Sequence, residues 1–271
     1  MGRLDNKVAI VTGMARGTGE EIFRLFAREG ARVLGVDVLN ERAQAVVDAV
    51  LAEGGLAAYR HCDVTSEADW AAAVDDVRDR WGRLDVLVNN AAILHLQPLA
   101  STSVETFERV LRINAVGPFI GTKACTPFMI ESGGGSIVNI GSIDSVSGTP
   151  TTGAYTTSKF ALRGLTKVTA LEYGKHNIRC NIVCPGGGNP EMITEFFAKH
   201  GPAVMDQVVA ERQRAVAPLP LRGPGRPPHF APAALYFASD DSMYCTGTEL
   251  VVDGGMHAGM YVDVPGMFSA D

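Results

Sequence analysis

Residues 7–19 read KVAIVTGMARGTG: a short apolar run, a turn with glycines at 13, 17 and 19, and the first residues of a helical pattern. The run at 7–12 is too short for a core helix and is bounded by a turn signal, so it reads as a buried strand. A strand that passes at once through a glycine turn into a helix is the opening of a βαβ unit.

Working outward, the same rhythm continues along the chain. Strands are predicted at 32–37, 56–61, 84–88, 136–140 and 178–183, and helices at 17–30, 40–53, 67–81, 104–126 and 154–175. A last helix near 228–239 and a strand near 249–252 complete the series. Continuous apolar strands alternating with helices give a parallel sheet covered on both faces. The expected fold is α/β: a doubly wound, Rossmann-type sheet of about seven strands. No fixed-period repeat or low-complexity linker divides the sequence, so residues 1–271 read as one catalytic domain. The segment 186–228 breaks the rhythm with glycines, two short helical patterns and many prolines, and it reads as a lid.

Composition sets the outer limits. The chain has 271 residues and a formal net charge of −6, without a long run of like charge. That argues against a nucleic-acid partner, which calls for a basic stripe. No apolar stretch approaches the length of a bilayer span, and residues 1–6 lack the apolar core of a signal peptide, so a cytoplasmic protein is expected. Cys62, Cys125, Cys180, Cys184 and Cys245 are odd in number and scattered, and no metal site is expected from them.

The turn itself points to an anion. Gly13, Gly17 and Gly19 allow a tight bend beside Arg16 and Thr18, and backbone N–H groups at a helix start favour a pyrophosphate. Asp37 closes the second strand 18 residues beyond Gly19, where a carboxylate accepts from ribose hydroxyls and repels a 2′-phosphate. Arg16 pulls toward the phosphorylated cofactor, but the carboxylate lies against the phosphate position itself, so NAD is expected over NADP.

Further motifs then fall in order. Asn89-Asn90-Ala91-Ala92 follows the fourth strand, Asn114 lies in the long helix and Ser142 follows the fifth strand. Tyr155 and Lys159 form a Y-x3-K pair with Ser158 between them, Pro185-Gly186 follows the sixth strand, and Val252-Asp253-Gly254-Gly255 follows the last. In this order the chain resembles the short-chain dehydrogenase/reductase family from about residue 7 to 255. The resemblance implies an oxidoreductase that moves a hydride between NAD(H) and a secondary alcohol or ketone. It also implies a homotetramer with the long helices and last strand at its interfaces.

The chemistry suits the residue types. Tyr155 and Lys159 are four apart and share a helix face. A free tyrosine, with a pKa of about 10, is too weakly acidic to act as a base at neutral pH. A lysine ammonium and the positive nicotinamide both favour its phenolate. Ser142 would steady the developing alkoxide or carbonyl. The resemblance further implies that Lys159 holds the nicotinamide ribose and that Asn114 relays protons through water. It places Asp63 and Val64 at the adenine, and Asn90, Pro185 and Gly186 along the cofactor. For the Asn90 side chain, holding the central sheet is an equal alternative.

Some positions depart from the pattern. Ala92 replaces a glycine, and Pro190 stands where the family commonly has a threonine for the carboxamide. Asn189 or Thr194 could substitute, and the glycines at 186–188 suggest a loop that changes shape. Asp144 is open to two readings, a substrate contact at the pocket mouth or a solvated loop carboxylate. Met192, Ile193, Phe196 and Phe197 of the lid, with His95 and Leu96, suggest an apolar pocket for an alicyclic, terpenoid or steroid-like substrate. Packing of the lid on its own core is an equal reading. Residues 256–271 form an apolar tail expected to reach a neighbouring subunit. Two other classes stand beside the dehydrogenase: an NAD-retaining epimerase or dehydratase, and a catalytically silent nucleotide-binding protein.

Overall fold

The computed structural model describes residues 2–187, 190–193, 210, 221 and 224–259. The strands are β1 Val8–Thr12, β2 Arg32–Asp37, β3 Leu56–His61, β4 Val86–Asn89, β5 Gly135–Ile140, β6 Ile178–Pro185 and β7 Glu249–Val252. They form a parallel sheet in the order β3-β2-β1-β4-β5-β6-β7. The order reverses direction between β1 and β4, so their C-terminal ends open the crevice where doubly wound sheets take ligands.

The helices are α1 Gly17–Arg28, α2 Asn40–Ala52, α3 Glu67–Trp81, α4 Val104–Leu111, α5 Gly117–Glu131, α6 Gly153–Tyr173 and α7 Pro227–Ala238. Alternate residues of β1 feed two separate cores. Ala9 and Val11 pack with Phe23 and Phe26 of α1, Val46 and Val50 of α2, and Phe237 of α7. Val8 and Ile10 pack with Trp70 and Val77 of α3 and with Ile120 and Phe128 of α5. Both faces are therefore buried, which is why the strands read as unbroken apolar runs.

The single helix expected over 104–126 is instead two helices joined by a π-helical turn, Arg112–Val116, and the second continues to Glu131. The physical reason is Pro118. It has no N–H to offer and its ring crowds the carbonyl four residues back, which belongs to Asn114. The first helix stops at Arg28, short of the expected Gly30, whose φ of +89° is a left-handed exit from the helix. Strand β4 starts two residues later than expected, because the Leu84 N–H turns to Ser132 Oγ.

Candidate active site

The phosphate-type turn is built against the loop after β4. Gly13 has φ +67° and Gly17 φ +60°, conformations that a side chain would strain. A Cβ at Gly13 would sit 2.8 Å from the Ala91 Cα, and one at Gly19 would lie 2.0 Å from the Gly13 carbonyl oxygen. These two glycines are thus required by close approach within the protein. Asn90 Nδ2 donates to the carbonyls of Thr12 (2.9 Å) and Gly13 (3.2 Å). The Thr12 hydroxyl donates to Val88 O and accepts from the N–H groups of Asn90 and Ala91. The Asn90 side chain is therefore committed to holding the turn against the sheet.

Helix α1 starts at this turn with Arg16 as an extended N-cap that supplies no side-chain bond. The N–H groups of Gly17, Thr18 and Gly19 carry the positive end of the helix dipole, and Arg16 stands half-buried beside them. Asp37, buried at the end of β2, accepts from Ala15 N through Oδ2 (2.9 Å) and from Leu39 N through Oδ1 (3.0 Å). Its carboxylate is thus fixed over the turn, and each oxygen keeps acceptor capacity. A pyrophosphate with an adjoining ribose fits this set, since it brings anionic charge to the helix start and hydroxyl donors to the carboxylate.

At the end of β3, Asp63 Oδ1 accepts from Thr65 N and Asp63 N donates to Asp69 Oδ2. Val64 is buried and its carbonyl accepts from Trp70 Nε1. Pro185 ends β6, and Gly186 N donates to Val252 O at 2.9 Å, joining it to β7.

The other four expected residues converge at the ends of β5 and α6. Ser142 caps a short turn, Ile143–Ser145, in which its Oγ accepts from Asp144 N and its own N–H donates to Ser145 Oγ. Tyr155, in the first turn of α6, is buried, and the Ser142 side chain is close enough to its phenol to favour the phenolate. One helical turn on, Lys159 lies beneath it, 2% exposed, with Nζ 5.4 Å from the Tyr155 ring centroid. Lys159 Nζ donates to the Ile140 carbonyl at 2.9 Å.

Asn114 enters from the π-helical turn. Its Nδ2 donates to Ile93 O (2.9 Å) and to Ser158 Oγ (3.1 Å), and its Oδ1 accepts from Ile93 N (2.9 Å). Ser158 Oγ donates on to the Tyr155 carbonyl at 2.6 Å. The wider π-turn therefore joins the loop after β4 to the catalytic helix through one amide.

Burial dominates the ionisation of the pair. It pushes the Tyr155 phenol well above the ordinary tyrosine range; the Ser142 side chain opposes this and the Asp144 charge adds to it. Burial pushes Lys159 down to about 8, while the Asp144 charge works to keep it protonated. Lys159, the charge expected to make the phenol acidic, is not among the causes acting on Tyr155. Within the chain, desolvation is the larger effect.

The solvated reading of Asp144 does not hold. The residue is only 7% exposed, so it is not a solvated loop carboxylate. Its Oδ1 accepts from Thr149 Oγ1 (2.8 Å) and Thr156 Oγ1 (3.4 Å), and Oδ2 from Ser142 Oγ (3.4 Å). The segment carrying Thr149 is pinned in turn by Gln97 N donating to Thr151 O, with Thr151 itself at φ +72°.

Of the expected lid, the turn Pro190–Ile193 is described, with Met192 half-buried and Glu191 paired to Arg42 of α2 at 3.0 Å. Gly188, Asn189, Thr194, Phe196 and Phe197 lie outside the described residues, as does the tail beyond residue 259. His95 is half-buried and engages Gln97 Oε1, and Leu96 beside it is half-buried too.

Sequence reasoning did not single out Thr12, Ile93 or Ser145 as parts of the site. Ile93 and Ile140 act through backbone carbonyls, which leave no residue-type signal. Thr12 and Ser145 left one: a hydroxyl ending a strand, and a serine three residues after Ser142, are turn-forming patterns.

Among the described residues, no cluster of His, Cys, Asp and Glu could hold a metal ion, and no helix is long and apolar enough to cross a membrane. Residues 13–257 match the family model described as Enoyl-(Acyl carrier protein) reductase. The chain is 42% identical over 259 residues to a 3-alpha-(or 20-beta)-hydroxysteroid dehydrogenase of Mycobacterium tuberculosis, covering 96% of this chain and 92% of that protein. It is 38% identical over 258 residues to a cyclopentanol dehydrogenase of Comamonas testosteroni, covering 95% and 100%. A crystal structure of a short-chain dehydrogenase/reductase from Burkholderia xenovorans superposes with a TM-score of 0.88 at 34% identity, covering 96% of this chain and all of that one.

Proposed function

The chain belongs to the short-chain dehydrogenase/reductase family, and from that premise we propose that it is an NAD-dependent dehydrogenase of apolar secondary alcohols, working on alicyclic, terpenoid or steroid-like substrates. The observation that carries this reading is the convergence of Ser142, Tyr155, Lys159 and Asn114 at the C-terminal edge of the sheet. The substrate class rests on the two relatives named above for a steroid and for cyclopentanol.

When bound, the nicotinamide supplies the hydride acceptor in oxidation, and its positive ring offsets the burial that holds Tyr155 as a phenol. Gly17, Thr18 and Gly19 would take the pyrophosphate and Asp37 the adenosine ribose, with Arg16 at the rim. Asp63, Val64, Asn90, Pro185 and Gly186 would line the rest of the cofactor. The fixed negative charge of Asp37 favours NAD over NADP.

Tyr155 takes the alcohol proton in oxidation and returns it in reduction. Ser142 donates its hydroxyl to the same substrate oxygen. Lys159 stabilises the phenolate by its charge and holds the nicotinamide ribose. Asn114 fixes the helix that carries both, through Ser158, and opens a route for protons toward solvent.

Residues 1–271 would act as one catalytic domain, with the substrate lid at 186–228 and the tail at 256–271 reaching a neighbouring subunit beside its active site. We further propose a homotetramer in the cytoplasm. The exposed Phe119 of α5 and the exposed Phe160, Val168 and Leu171 of α6 support an assembly through these helices. The five unpaired cysteines suit a reducing compartment. Reduction of NAD+ by a panel of cyclic secondary alcohols, with mass determination in solution, tests the reading.

A further inference from the structure

The carboxylate of Asp144 is buried among hydroxyls, and among the described residues no cation pairs with it. Its oxygens accept from Thr149, Thr156 and Ser142, and it lies on the turn that α6 covers. A buried carboxylate is retained at a cost unless its surroundings use the charge. Here the uses are close at hand. One is the Ser142 hydroxyl, which both donates to Oδ2 and accepts from the Asp144 N–H. The other is Lys159, a buried ammonium whose hydrogen bond goes to a neutral carbonyl.

We propose that Asp144 is a positioning residue of the active site, whose buried carboxylate orients the Ser142 hydroxyl and sets a fixed negative charge beside Tyr155 and Lys159. The inference rests on the dehydrogenase reading for its kinetic consequence, and for its electrostatic one on the contacts of Asp144 with Ser142 and with Thr156, the residue next to Tyr155. The ionisable groups facing this turn are Tyr155 and Lys159 from α6 and Cys184 from β6. Burial pushes the Cys184 thiol up to about 11, so it carries no charge at working pH. On the loop after β4, His95 is a further ionisable group, and Gln97 of that loop bridges to Thr152.

The sign follows from the charge. A carboxylate beside Tyr155 disfavours the phenolate, and beside Lys159 it favours the ammonium. Both groups therefore lose their protons at higher pH than they would without it. Neutralising Asp144 should move the rising and falling limbs of alcohol oxidation together toward acid.

The experiment compares the wild type with Asp144→Asn and His95→Gln in the pH profile of kcat for alcohol oxidation. A double-mutant cycle of Asp144→Asn with Lys159→Met, read by urea unfolding at neutral and at strongly alkaline pH, accompanies it. The expected result is a profile displaced by about one unit toward acid in Asp144→Asn, with KM for NAD+ unchanged and His95→Gln at the wild-type position. The cycle should give a favourable coupling at neutral pH that vanishes once Lys159 is neutral.

An active wild type whose profile does not move in Asp144→Asn, together with zero coupling, overturns the inference and leaves the dehydrogenase reading intact. So does a displacement that belongs to His95→Gln. A wild type inactive on every alcohol sinks the dehydrogenase reading instead, and the cycle then decides Asp144 alone, coupling supporting it and zero coupling rejecting it. Should Asp144→Asn not fold, Thr149→Val removes the carboxylate's shortest hydroxyl bond while keeping the charge. It should loosen Ser142 and lower kcat several-fold; an unchanged kcat counts against the positioning role.

Discussion

Lys159 lies with its ammonium 5.4 Å from the centre of the Tyr155 ring, fully enclosed and donating to the Ile140 carbonyl. The arrangement puts a positive charge under a phenol without a direct hydrogen bond to its oxygen. It also makes the protein bear the cost of a buried ammonium, and that cost is measurable.

With its folded-state value near 8 and its ordinary value near 10.5, Lys159 binds fewer protons in the folded than in the unfolded chain between these limits. Its contribution to stability therefore rises with pH across that window, and is lost as pH falls through the folded value. The full cost below it is on the order of 3 kcal/mol. Urea midpoints followed from neutral pH to about 10 should climb relative to those of Lys159→Met. Parallel curves for the two proteins would mean that the ammonium is not desolvated.

Asn114 satisfies both the N–H and the carbonyl of Ile93 and reaches Ser158 in α6. Asn114→Leu leaves these groups unpaired in a buried site, and should cost about 2–4 kcal/mol in urea unfolding. The kcat should fall more than the KM for cofactor rises, because the catalytic helix loses its tie while the glycine turn is untouched. A variant of wild-type stability would remove Asn114 from this role.

Asp37 joins the glycine turn to β2 through Ala15 N and Leu39 N. Asp37→Ser keeps an acceptor and drops the charge. The ratio of kcat/KM for NAD+ over NADP+ should fall by about ten-fold or more, most of it through KM. If the ratio stayed put, cofactor choice would reside elsewhere, with Arg16 the first residue to test.

How far the chemistry was legible depended on where it resides. The parallel sheet could be read from strands such as VAIVT, because burial on both faces leaves an unbroken apolar run. Tyr155 and Lys159 were legible because helix spacing fixes their shared face. The break at Asn114 was not read, although Pro118 four residues on was the signal for it. Asp144 could not be placed, because its partners Thr149 and Thr156 come from a loop and a helix that only the fold brings together. The ionisation balance was read with the wrong weight. Spacing reveals neighbouring charges but not desolvation, which dominates at Tyr155.

The central claim is that Tyr155 is the acid–base group of a secondary-alcohol dehydrogenase. Its most direct measurement is NADH formation from cyclic secondary alcohols by the wild type and by Tyr155→Phe, with NAD+ binding followed by fluorescence in both. The account predicts turnover by the wild type, a loss of about 10²–10⁴-fold in Tyr155→Phe, and similar NAD+ affinity for the two. Tyr155→Phe turning over at the wild-type rate, or a wild type that binds NAD+ and oxidises none of the alcohols, would contradict it.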